Sequence, residues 1–253
     1  MAGRSHPTYP NPTVVEAVCE IHFGRSPDKP WKPSLPGELF KVVQDDYPEI
    51  EPVVEVGVQL EFGPSGVGQH MLPPRQRVRL KHRERPILLQ IGEDVLTVNF
   101  LRPYPGWDEV KNTVLSTWRR AAPVLGASAI SRIGLRYINR IPLAGGESIA
   151  KWLTATRLVP EAIVSSKAGF FSRVEAGLGP GDRVVATIGE EPGAEGGGPA
   201  AIIFDIDRIT ERELAPSDGP LAMEIDRLHQ EVWDAFAAAM TQDLEDLLSR
   251  NPS

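Results

Sequence analysis

One order of elements occurs twice in this chain, and few folds accommodate that. Residues 14–23 alternate, with Val15, Ala17, Cys19, Ile21 and Phe23 at one parity and Glu16, Glu20 and His22 at the other, as in a strand with one polar face. A Pro-rich loop leads to Pro36, Leu39, Phe40, Val43 and Tyr47 at helical spacing, with Ser34 placed to cap and Tyr47-Pro48 to stop the helix. Strands are then expected over 53–62, 75–82 and 86–100, the last doubling back at Gly92-Glu93-Asp94. After the breaker Pro105-Gly106, a helical stripe carries Trp107, Val110, Val114, Trp118 and Ala121, and Pro123 and Gly126 close the half.

The order then restarts. Residues 132–141 alternate as a strand, a short helix is expected around 147–153, and strands follow over 170–177, 183–188 and 201–206. The turn Gly179-Pro180-Gly181-Asp182 and the Gly-rich loop 190–199 join them. A long closing helix has the stripe Leu221, Ile225, Leu228, Val232, Phe236, Ala239, Met240 and Leu247, with a bend expected at Thr241. A period of roughly 125 residues is far too long for a solenoid, and duplication of one unit is the simplest account. The expected fold is therefore α+β, with two similar βαββββα-like halves, 1–126 and 127–253, in one integrated unit. An antiparallel sheet packs on helices, as in a duplicated saddle or a helix-grip fold, an analogy that gives architecture and not activity.

Three segments resemble a sporadically distributed bacterial family of uncharacterised proteins of this length. They are Tyr9-Pro10-Asn11-Pro12 with Val15-Glu16-Ala17-Val18, then Leu96-Thr97-Val98-Asn99-Phe100, then Ile133-Gly134-Leu135-Arg136-Tyr137-Ile138-Asn139-Arg140-Ile141. The resemblance spans the full length. It implies one coherent unit and assigns no chemistry.

Composition excludes several function classes. The formal net charge of −7 argues against a general nucleic-acid binder, which draws on a surplus of Lys and Arg, without excluding a local basic face. With Cys19 as the single cysteine, neither an intrachain disulfide nor a cysteine zinc site can form, and a buried structural thiol is expected. No apolar run approaches the roughly 18 residues that span a bilayer, and the opening segment lacks the apolar core of a secretory leader, so the cytoplasm is the expected compartment. HExxH, Walker, GxSxG and strand-to-helix GxGxxG signatures are missing, and no cofactor is implied.

Two charged strand faces remain as candidate sites. From Arg75 to Arg85 every second residue is a cation, so Arg75, Arg77, Arg79, Lys81, Arg83 and Arg85 share one face of a strand. Such a row suits an acidic partner or a phosphate backbone, or forms a cross-strand ladder with Glu49, Glu51, Glu55 and Glu61. The second face carries Arg132, Arg136 and Arg140. In a saddle it lies beside the first strand, where Glu16, Glu20 and His22 face the arginines, and Gly134 leaves room for an approaching group. Asp205, Asp207 and Asp226 are a weaker candidate for an oxygen-ligated cation. Trp107, Trp118 and Trp233 read as core, and Trp31, in the Pro-rich loop, as freer to touch a partner.

The reading that these features favour is a non-enzymatic binding or adaptor protein for a protein or peptide partner, with homo-oligomerisation open. The alternatives are a small-molecule or nucleotide-binding enzyme over Glu20, His22, Arg136 and Arg140, and a single-stranded nucleic-acid binder using the Arg75 to Arg85 face.

Overall fold

A computed structural model describes residues 6–55, 58–63, 66–71, 75–144, 147–166, 169–192 and 200–251. The fold is α+β. In chain order its elements are β1 (Val14–Arg25), α1 (Leu35–Val43), β2 (Glu49–Glu55), β3 (Val58–Gly63), β4 (Gly66–Met71), β5 (Arg75–Lys81), β6 (Ile87–Ile91), β7 (Val95–Leu101) and α2 (Trp107–Leu125). There follow β8 (Ala127–Leu143), a 3-10 turn at Ile149–Lys151, α3 (Glu161–Val164), β9 (Phe171–Gly179), β10 (Asp182–Glu191), β11 (Ala200–Thr210), α4 (Asp218–Ala239) and α5 (Gln242–Ser249). Nine strands form one antiparallel sheet in the order β2-β5-β6-β7-β1-β8-β11-β10-β9, and β3 pairs with β4 apart from it.

Strand parity sorts the sheet into two unlike faces. On β1 the set Ala17, Cys19, Ile21 and Phe23 is buried, and in register beside it lie Phe100, Val98 and Leu96 of β7 and Tyr137, Leu135 and Ile133 of β8. This apolar face meets the helices. α2 and α4 pack on β8, α4 also packs on β11, and α1 packs on α2. Trp118 of α2 and Leu221, Ile225 and Leu228 of α4 are almost wholly removed from water, each side chain contributing about 1.5–3 kcal/mol of hydrophobic stabilisation. Among the described residues no helix is long and apolar enough to cross a membrane.

Local chemistry sets the helix ends. Gly126 ends α2 in the left-handed conformation at φ 67°, its N–H returning to Ala122 O. A Cβ there would lie 2.6 Å from Lys29 Cβ, so space as well as conformation selects glycine. The bend expected at Thr241 is a break between helices: Met240 is extended, and Thr241 Oγ1 caps α5 at Leu244 N.

Several expectations need correction. The strand expected over 53–62 is two strands, its first part pairing β5 at the sheet edge and its second pairing β4, because alternation marks a half-buried strand without naming its partner. β4 is not legible in the sequence because Gly66, Gly68 and Gln69 give little strand signal. In the second half a single 3-10 turn follows β8 in place of the short helix expected there, and α3 is an addition to the expected order. Residues 193–199 of the Gly-rich loop lie outside the described residues. The 126/127 boundary falls between α2 and β8, and the sheet runs through it because β1 pairs with β8.

Candidate functional site

The polar parity of the central strands collects most of the charged candidates. In the β1–β8 register Val18 faces Arg136, Glu20 faces Gly134 and His22 faces Arg132. On the other flank of β8, Asp207 faces Arg136 and Ile209 faces Gly134. Thr97 and Asn99 of β7 join from beyond β1, opposite Glu20 and Val18.

Glu20 is the hub of one cluster. Its Oε1 lies 2.8 Å from His22 Nε2 and 2.8 Å from Arg132 Nη1, while Oε2 lies 3.6 Å from Arg77 Nη2. His22 Nε2 is also 2.7 Å from Arg132 Nη1. One imidazole nitrogen can donate to the carboxylate or accept from the guanidinium, so the two contacts of His22 Nε2 exclude each other as hydrogen bonds. Arg77 Nη1 donates to Thr97 Oγ1 at 3.1 Å. Burial alone would raise the Glu20 carboxyl, but the hydrogen bond and charge of His22, then the charges of Arg132 and Arg77, bring it down to about 2.

A second cluster lies across Gly134. Arg136 holds Asp205 through Nε at 2.8 Å and Nη2 at 2.7 Å, with Asp205 8% exposed. The Asp207 carboxyl accepts no hydrogen bond and forms no ion pair among the described residues. Burial pushes its carboxyl up to about 6; Arg136 and Arg132 act against that rise, and Asp205 and Glu20 add to it.

The expected partners of the arginines are rearranged. Arg132 meets Glu20 and His22, but Arg136 takes Asp205 and Arg140 reaches Glu191 Oε2 at 2.5 Å, and neither pairs with Glu16 or Glu20. The reason is the second flank of β8, where β11 puts two carboxylates beside Arg136 while β1 puts Val18 there. Glu16 instead accepts from Asn99 Nδ2 at 2.7 Å, and Asn99 Oδ1 accepts from Gln90 Nε2 at 2.9 Å.

The cation row does not run the length of one strand. β5 ends at Lys81; Arg83 and Arg85 lie in the turn beyond it, Arg83 donating to Asp45 O and Arg85 pairing with Glu109. Arg79 meets Glu51 at 3.1 Å, and Lys81 meets Glu51 at 3.2 Å and Glu49 at 4.0 Å, a charge ladder at the sheet edge. The side chains of Arg75, Glu55 and Glu61 lie outside the described residues, and Glu61 belongs to the separate β3–β4 pair.

The aspartate trio does not assemble. Asp205 and Asp207 share the open face, but Asp226 sits on α4 against the other face, accepting from Trp107 Nε1 at 3.2 Å and Lys111 Nζ at 2.5 Å. Among the described residues no group of His, Cys, Asp and Glu is arranged to hold a metal ion. Trp31 is half-buried with the Arg25 guanidinium 5.0 Å from its ring centre, so it is less free than its loop suggests. Gln90, Thr97 and Asn99 join the site beyond the sequence candidates, although the polar alternation of Thr97 and Asn99 inside an apolar strand is a readable signal. Comparison with protein families and with curated proteins finds no match.

Proposed function

We propose that this protein is a non-enzymatic binding or adaptor protein that receives a protein or peptide partner on the polar face of its sheet. The observation that carries the reading is the asymmetry of the two faces. One is packed by α1, α2 and α4. The other has no described helix on it and presents Glu20, His22, Arg132, Arg136 and Asp207 over three adjacent strands. Long charged side chains lying along a sheet suit a broad polar contact, in which complementary charge sets register and specificity.

In this reading the chain is a duplicated saddle. Its support is the strand order: β7, β6 and β5 lead outward from β1 as β11, β10 and β9 lead outward from β8, and α2 and α4, the helices that follow the last strand of each half, pack together.

A second reading, a small-molecule enzyme, draws on the 2.8 Å contact of Glu20 with His22, the geometry of a carboxylate orienting an imidazole base. Two described cavities, of about 590 and 870 Å³, have walls built around Lys29 and Trp31 respectively, and neither includes Glu20, His22, Arg132 or Arg136.

Recovery of the native complex from cell extract on immobilised full-length chain tests the proposal. One reproducible protein partner is expected, lost when the rim cations are neutralised together as Arg79→Gln, Lys81→Gln and Arg140→Gln. Equal capture by the parent and this folded triple variant, or no specific capture by either, overturns it.

A further inference from the structure

We infer that the face recognises an acidic and a basic side chain carried on one extended partner segment, the acidic one at Arg132 and the basic one at Asp207, on either side of Gly134. This rests on the protein-binding reading and narrows it to a chemistry. Arg132 is only partly used by its own chain. Its Nη1 serves Glu20 and His22, while its Nη2 makes no hydrogen bond among the described residues. A guanidinium nitrogen left without a partner on a charged face suits a carboxylate, which it takes through a charge-assisted hydrogen bond.

Asp207 has the opposite shortage. Arg136, directly across from it, gives both Nε and Nη2 to Asp205, so the neighbouring arginine is committed elsewhere. Arg132 and Arg136 bear on the charge of Asp207 without forming a hydrogen bond or ion pair with it. A half-buried carboxylate without a donor is the complement of an ammonium or guanidinium.

Gly134 keeps the two groups apart and the floor between them open. A Cβ at this position would touch Asp207 Oδ1 at 3.7 Å and Glu20 Cβ at 3.9 Å, both ordinary contacts, so a longer side chain would occupy the space above them. Arg132, Gly134 and Arg136 follow one another on one face of β8 at steps of roughly 7 Å, the same-face step of an extended segment. Asp207 lies in register with Arg136, two such steps from Arg132, so an acid and a base four residues apart on the partner match the span.

The test titrates the isotope-labelled full chain with three capped pentapeptides, Glu-Ala-Ala-Ala-Lys, Gln-Ala-Ala-Ala-Lys and Glu-Ala-Ala-Ala-Gln, following the Gly134 amide resonance. The parent is expected to favour Glu-Ala-Ala-Ala-Lys over each neutralised peptide by about threefold to tenfold, less at high salt. Arg132→Gln should abolish the preference for Glu over Gln, and Asp207→Asn the preference for Lys over Gln, with each variant keeping its cooperative melt. Equal binding of all three peptides by the parent, or preferences that survive both substitutions, overturns the inference. If the extract partner is lost by the rim triple variant but held fully by Arg132→Gln and Asp207→Asn, this inference fails and the protein-binding reading stands. Peptide discrimination as expected with no partner recovered supports the pairing chemistry of the face and counts against the protein-binding reading.

Discussion

Arg136 closes on Asp205 with both Nε and Nη2, at 2.8 and 2.7 Å, across the β8–β11 seam. The pair is lopsided: the Asp205 side chain is 11% exposed and that of Arg136 46%. Removing the arginine therefore strands a buried carboxylate beside Asp207. Arg136→Ala should cost about 1–3 kcal/mol, below the loss for a fully buried pair because the guanidinium is half in water. Asp205→Asn in the same chain should restore part of it. Denaturant titrations of the parent, the two single variants and the double variant measure the coupling, and strictly additive losses would show that the pair does not act as one.

Asp207 should make stability fall as pH rises. Its folded-state carboxyl is raised from 3.8 to about 6, so its stabilising share is complete below 3.8 and is lost on passing through 6. A shift of that size corresponds to about 3 kcal/mol as an upper bound. Asp207→Asn should thus stabilise the protein at pH 8 by about 1–3 kcal/mol, with the gain vanishing near pH 4. Denaturation midpoints at the two pH values decide the matter, and a pH-independent difference would contradict it.

Glu20 carries the opposite sign. Its carboxyl is lowered from 4.5 to about 2, so its contribution is present above 4.5 and drains away as pH falls through 2. Glu20→Gln should cost about 2–3 kcal/mol at neutral pH and flatten the acid limb of the stability profile between those values. An unchanged acid limb would place that loss in other carboxylates.

Cys19 should be chemically silent in the native protein. Its side chain is buried on the helix-covered face and its thiol is pushed up to about 12, first by burial and then by the Glu20 charge. Iodoacetamide should modify it only at the rate at which the protein unfolds. Fast labelling under native conditions would mean that β1 is inverted or opens locally.

Much of the site is readable where it depends on parity. Glu16, Glu20 and His22 are separable from Ala17, Cys19 and Ile21 because a strand has a period of two, and the same rule puts Arg132, Arg136 and Arg140 on a single face. Partner choice is not readable. It depends on both flanks of β8, and the second flank is supplied by β11, far along the chain, as in the pairing of Arg136 with Asp205 (|i−j|=69). The cation row is overextended in the sequence because alternation continues past Lys81 although the hydrogen-bonded ladder does not.

The sequence by itself determined the α+β class, the stripes of α2 and α4, the burial of Cys19, the hairpin at Gly92-Glu93-Asp94 and the break at Thr241. Each of these follows from local periodicity, backbone freedom or turn chemistry within a few residues. Tertiary structure alone decided that β1 and β8 meet at the middle of one nine-stranded sheet and that Asp226 lies on the opposite side from Asp205 and Asp207. It also decided that Arg132 Nε and the Asp207 carboxyl lack hydrogen-bond partners among the described residues on either side of Gly134. The physical reason is range. Side-chain parity is fixed by the residue's own backbone, whereas an ion pair is fixed by which distant strand wins the neighbouring edge, and that competition is settled by the burial of the whole apolar face.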